Sequence, residues 1–79
     1  MQKSYSKEDK DLLKQIGNKI RAFRLELRLS QEKLAFASDL DRTYIGSVER
    51  GERNISVINL RKISSALNIQ SFELLKIEE

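Results

Sequence analysis

Apolar residues recur along almost the whole chain at the spacing of one helical face. The first stripe is Leu12, Leu13, Ile16, Ile20, Phe23 and Leu27, stepping by three and four residues. Ser6 precedes it as an N-cap, with Glu8, Asp9 and Asp11 near the positive helix end. Basic residues Lys14, Lys19, Arg21, Arg24 and Arg28 fill the other faces. A second, short helix is expected after Ser30, with Leu34, Ala35 and Phe36 as its apolar positions and its end near Ser38 and Asp39. Leu40 then reads as a core plug in a tight turn. A third helix is predicted from about Arg42 to Arg50, capped by Asp41, with Ile45 and Val48 inward and Gly51 ending it in the left-handed conformation. Glu52 to Ile55 make a loop. A fourth helix after Ser56 buries Leu60, Ile63 and Leu67 and ends at Asn68, and a last short one begins after Ser71, with Phe72, Leu75 and Ile77 apolar. Strand signals are nearly absent. The expectation is all-α: a compact bundle of about five short helices, forming one domain over 1–79, with low contact order and fast folding.

Composition narrows the chemistry. The chain has 79 residues, no Cys and no His. Disulfides and thiolate metal sites are therefore excluded, and the commonest general base and metal ligand is missing. Gly17, Gly46 and Gly51 are too scattered for a phosphate-cradling loop. Neither catalysis nor a cofactor nor a small-molecule ligand is expected. The start MQKSYSKEDK is polar, unlike a signal peptide, and no apolar run could span a bilayer. These features point to a cytoplasmic protein away from membranes. A net charge of +3 is mildly basic, compatible with an ordinary solvated surface or with a nucleic-acid footprint.

The segment LDRTYIGSVERGERN decides between them. The junction Ala37-Ser38-Asp39-Leu40-Asp41 is too short for helices two and three to lie antiparallel, so they meet steeply as a helix-turn-helix, at about 31–50. In that motif the second helix enters the major groove and its N-terminal residues meet base edges. Arg42, Thr43 and Tyr44 occupy that tip.

The stretch SQEKLAFASDLDRTYIGSVERGERNIS resembles the phage-repressor-like (XRE) helix-turn-helix family. Gln31, Leu34-Ala35, Leu40, Ile45, Glu49 and Gly51 match its spacing, and the likeness spans about residues 12 to 75. Within the family, LDRTYIGSVERGERN on so short a chain looks like the controller proteins of restriction–modification systems. The resemblance implies a lambda-repressor-like domain and a homodimer on operator DNA, acting on its own gene and the endonuclease gene, with RNA polymerase blocked or recruited. Asp39 departs from the family, whose turn usually has Gly; Asp tolerates the left-handed conformation better than most residues.

Arg42 suits bidentate donation to guanine O6 and N7, and Thr43 can bond a base or offer its methyl to thymine. Tyr44, with Ile45 the better core candidate, can reach a phosphate or a base step through its hydroxyl. Ser47 falls one turn after Thr43, expected on the same face. Arg53 resembles a controller position that reaches DNA, so it joins these as a base-contact candidate, while Arg50 and Asn54 flank the helix end as phosphate candidates. Gln31 opens helix two, where the family holds a phosphate and free amides suit an anion. Glu49 falls near the inward face, and the resemblance pairs it with Arg24 in a buried, structural ion pair.

One recognition helix reads few base pairs, so specific affinity on a small domain calls for two copies on half-sites about one helical turn apart. The C-terminal region, about 56–79, carries surplus apolar residues. Ile58, Ile69, Phe72 and Leu74, with Ile77, are the interface candidates. Other readings are a phage-type repressor, an antitoxin, or a helical protein-interaction module that has lost DNA contact.

Overall fold

In the computed structural model, residues 4–78 are described; residues 1–3 and 79, which the single-domain expectation also spans, lie outside them. Four α-helices follow one another: α1 (Lys7–Glu26), α2 (Gln31–Ser38), α3 (Arg42–Glu49) and α4 (Val57–Ala66). A 3₁₀ turn over Ser71–Leu75 closes the order, and the described residues contain no strand.

Each α-helix starts on a side-chain cap. Ser6, Ser30, Asp41 and Ser56 accept from the backbone N–H of Asp9, Lys33, Thr43 and Asn59. At Ser6 the Asp9 carboxylate returns the bond, completing a capping box. The four helices also share one way of ending. Arg28, Asp39, Gly51 and Asn68 all take left-handed φ, between 57° and 76°. In each case the next residue's N–H reaches back five positions: Leu29 to Arg24, Leu40 to Ala35, Glu52 to Ser47, Ile69 to Ser64. This paired-bond ending satisfies carbonyls that would otherwise be orphaned. It also turns the chain sharply, which lets short helices pack at steep angles. Asp39 accepts the left-handed turn, and Gly51 ends α3 as expected.

The core gathers Ile16 and Ile20 from α1, Leu34 and Ala35 from α2, Ile45 and Val48 from α3, Leu60, Ile63 and Leu67 around α4, and Leu74. Leu40 packs against it from the turn. Gly17 marks the closest approach of α1 and α3. A Cβ there would lie 2.4 Å from the Val48 carbonyl oxygen and 2.6 Å from that of Glu49, so only glycine lets the helices touch.

The apolar stripe departs from expectation at four residues. Leu12 and Leu27 are exposed: Leu12 sits about 100° round the helix from buried Leu13, and Leu27 caps a helix that has already ended. Arg24 takes the inward position instead. Phe36 is 90% exposed, since Leu34, Ala35 and Ser38 turn the buried face of α2 elsewhere. Leu74, expected at a surface interface, is fully buried in the core. Its segment is a 3₁₀ turn with three residues per turn, so Leu74 points inward while Phe72 and Leu75 share an outer face.

Candidate nucleic-acid interface

Asp39, Leu40 and Asp41 alone separate α2 from α3. Asp41 accepts the Thr43 N–H at 3.1 Å and stops the helix at a free end. Arg42 and Thr43 stand exposed on that end, so the leading side chains protrude into solvent. Tyr44 is only half exposed and packs against the core. Arg53 lies over its ring, 5.6 Å from guanidinium carbon to centroid, a cation–π contact.

Ser47 corrects the sequence expectation. It is buried rather than displayed beside Thr43. Its hydroxyl donates to the Tyr44 carbonyl at 2.8 Å and accepts from Arg53 Nε at 3.1 Å. Ser47 thus positions the Arg53 side chain, and its one proton is committed to the Tyr44 carbonyl. Asn54 is exposed in the loop that follows.

Behind this surface lies a charged network. Arg24 Nε donates to Glu49 Oε2 at 2.6 Å and Arg24 Nη2 to Glu49 Oε1 at 3.0 Å. Arg24 Nη1 holds the Leu29 carbonyl at 2.8 Å, and Gln31 Nε2 donates to Glu49 Oε1 at 3.1 Å. The buried Arg24–Glu49 pair thus ties the end of α1 to the end of α3, the guanidinium holding the loop at Leu29 and the carboxylate holding Gln31 at the start of α2. Gln31, a phosphate candidate, is half-buried with one amide donor bond already committed to Glu49. Among the described residues no buried side-chain nitrogen or oxygen lacks a partner.

Arg50 is exposed and forks onto Glu52, Nε to Oε2 at 3.0 Å and Nη2 to Oε1 at 3.1 Å. Those bonds raise the Arg50 pKa and hold the Glu52 carboxyl below the usual carboxylate range. Sequence reasoning missed this pair and the Gln31–Glu49 and Arg24–Leu29 bonds. The one sequence signal for the first was an acid two residues after an arginine, across a turn-forming glycine.

A short, capped helix held out on a three-residue turn, with a cation and a hydroxyl at its free tip, defines a helix-turn-helix DNA-binding unit. The chain belongs to the helix-turn-helix family, whose model matches residues 20–74. It is 55% identical over 60 residues to control protein C.BamHI of Bacillus amyloliquefaciens, across 75% of this chain and 74% of that protein. It is 49% identical over 65 residues to control protein C.MunI of a Mycoplasma species, across 81% and 88%. Among solved structures it resembles the restriction-modification controller protein C.AhdI from Aeromonas hydrophila, with a TM-score of 0.77 and 50% identity over 78% of this chain and 94% of that one. The protein is thus a DNA-binding transcriptional regulator similar to restriction–modification controllers, and not an enzyme. No helix among the described residues is long and apolar enough to cross a membrane.

Proposed function

We propose that this protein is a restriction–modification controller, a cytoplasmic homodimer that binds operator DNA ahead of its own gene and the endonuclease gene. The observation that carries this reading is the exposed tip of α3, where Arg42 and Thr43 stand clear of the core at the start of a helix whose remainder packs into it. Arg42 reads a guanine through its two-donor fork, and Thr43 reads the adjacent position. Tyr44 and Arg53, stacked together at the helix rim, meet the flanking step, with Arg53 leaving its Ser47 bond to reach a base. Gln31 and the free amides of α2 hold one phosphate, and Arg50 and Asn54 a second. Arg24 and Glu49 do not touch DNA; they fix the angle at which α3 is presented.

Exposed apolar residues in the C-terminal part support the homodimer. Ile58 and Phe72 are exposed, as are Val57 and Leu75, and Ile69 is half-buried. A second copy would remove these apolar surfaces from water and place two recognition helices on one duplex face. Depending on where the operator lies relative to a promoter, the dimer blocks RNA polymerase or recruits it, and does both as its concentration rises.

Footprinting the purified protein on DNA upstream of its own gene tests the proposal. The expected result is a protected pseudo-palindrome with half-sites about one helical turn apart, occupied by a species of twice the chain mass in sedimentation. A protein that protects no segment of that DNA at low ionic strength overturns it.

A further inference from the structure

The Arg50–Glu52 pair sits where a carboxylate is least welcome. Gly51, at φ 76°, turns the chain at the end of α3, and the Glu52 N–H returns to the Ser47 carbonyl at 2.9 Å. That turn lays the side chain of residue 52 against that of residue 50. A Cβ added to Gly46 would lie 3.2 Å from Arg50 Nη1 and 3.4 Å from Gln31 Oε1. Arg50 Nη1 and Gln31 Oε1 both lie near Gly46, which brings the Arg50 guanidinium close to the start of α2. An acid at such a rim repels phosphate. It is also dispensable to the fold: both side chains are more than half exposed, and exposed pairs contribute little to stability.

The geometry explains its presence differently. A guanidinium grips a phosphate as it grips a carboxylate, by two parallel N–H bonds. Glu52 occupies two of those donors, Nε and Nη2, with its own two oxygens. Building on the DNA-facing reading above, we infer that Glu52 is an internal competitor for phosphate at Arg50, holding the sequence-independent part of DNA affinity below what the cationic loop would otherwise give. Arg53 is restrained in parallel by Ser47 and Tyr44, so both loop arginines are engaged by the chain itself before DNA arrives. Such a brake acts on cognate and random duplex alike. It raises the protein concentration needed to fill the operator, and it shortens dwell on random sequence.

The test is fluorescence anisotropy of the full chain on a random-sequence duplex across a salt series, comparing wild type, Glu52→Gln, Arg50→Ala and the double variant. A freed Arg50 adds up to one counterion-releasing contact per chain. Glu52→Gln should then bind up to about tenfold tighter near 0.1 M salt, with the log–log salt slope steeper by about 0.9 per chain. In the Arg50→Ala background the same substitution should gain clearly less than in wild type, because only the plain repulsion between Glu52 and phosphate is then relieved. Glu52→Ala should behave like Glu52→Gln, guarding against a glutamine that keeps the bond. Equal gains with and without Arg50 would reduce Glu52 to a plain surface charge and overturn the inference, as would no gain in the wild-type background. Wild-type protein that ignores the duplex at low salt brings down the DNA-facing reading itself, and this inference with it.

Discussion

Glu49 and Arg50 are neighbours in sequence, and each belongs to an arginine–glutamate fork. Their partners, Arg24 and Glu52, put the two forks in opposite surroundings. In the first, the side chains are 9% and 3% exposed; in the second, 59% and 56%. The pairing is the same, Nε and Nη2 onto two carboxylate oxygens, and the buried Nε bond is the shorter, 2.6 Å against 3.0 Å. The larger difference is solvent, and with it the consequence of losing one partner. The buried fork joins three helices and cannot be half dismantled without leaving a charge out of water. The exposed fork joins two residues of one turn and can open to a competing anion. Both pairs are forked ion pairs within hydrogen-bond distance; burial makes one a scaffold and the other an exchangeable contact.

The sharpest break in that comparison is Glu49→Ala. It strands the Arg24 guanidinium and takes the partner from Gln31, and should cost about 3–5 kcal/mol of unfolding free energy, read by urea denaturation. Replacing both partners with apolar residues, Arg24→Met with Glu49→Leu, should cost less than the single change, because no charge is left behind. A double variant worse than Glu49→Ala would show that the fork itself, and not charge burial, holds the helices.

Next in size is Gly17→Ala, which strikes the same α1–α3 contact without touching charge. Alanine gains helix propensity over glycine by about 1 kcal/mol. Against this stands a Cβ 2.4 Å from a backbone carbonyl that cannot swing aside. Overpacking costs about 1–3 kcal/mol or more where backbone must move, so the clash should win, and the melting temperature should fall. A stabilised Gly17→Ala would mean that α1 and α3 separate freely, and that the buried fork is not held by close helix contact.

Arg42→Ala belongs to the recognition tip and should leave stability unchanged. On the cognate site it should cost about 1–3 kcal/mol and relax base preference at one position, measured by competition among single-base variants of the operator. Equal losses on cognate and random duplex would move Arg42 into the phosphate-contacting class, alongside the exchangeable fork.

The helix starts were legible because Ser6, Ser30, Asp41 and Ser56 each announce a cap by residue type. Three of the four ends were legible in the same way, since Asp39, Gly51 and Asn68 are residue types that tolerate left-handed backbone. Arg28 adopts the same conformation with no such signature; the terminal bonds from Arg28 and Leu29 to Leu25 and Arg24 impose it. The tip of α3 could be read because Asp41 fixes where the helix begins. Ser47 could not, because its hydroxyl is committed to the Tyr44 carbonyl and to Arg53, six residues on. Leu74 was assigned to the surface because spacing marks an apolar pair such as Phe72 and Leu75 without saying which face of a 3₁₀ turn the core takes. The Arg24–Glu49 pair came from family resemblance; periodicity showed only that Glu49 faces inward.

The smallest expected effect sharpens the comparison from the other side. The Glu52 carboxyl is held low by its hydrogen bonds from Arg50. A carboxylate whose folded pKa is depressed adds stability that is present above its unfolded pKa and fades as pH falls through the folded value. Glu52→Gln removes that contribution at every pH. Wild type should therefore melt marginally above the variant near neutrality, and the two curves should merge in acid, once Glu52 is protonated in both folded and unfolded chains. Because the pair is open to water, the neutral-pH gap should also shrink with added salt. A large gap that survives both acid and salt would place Glu52 with Glu49 as part of the scaffold, and a residue the fold requires is not free to trade its partner for a phosphate.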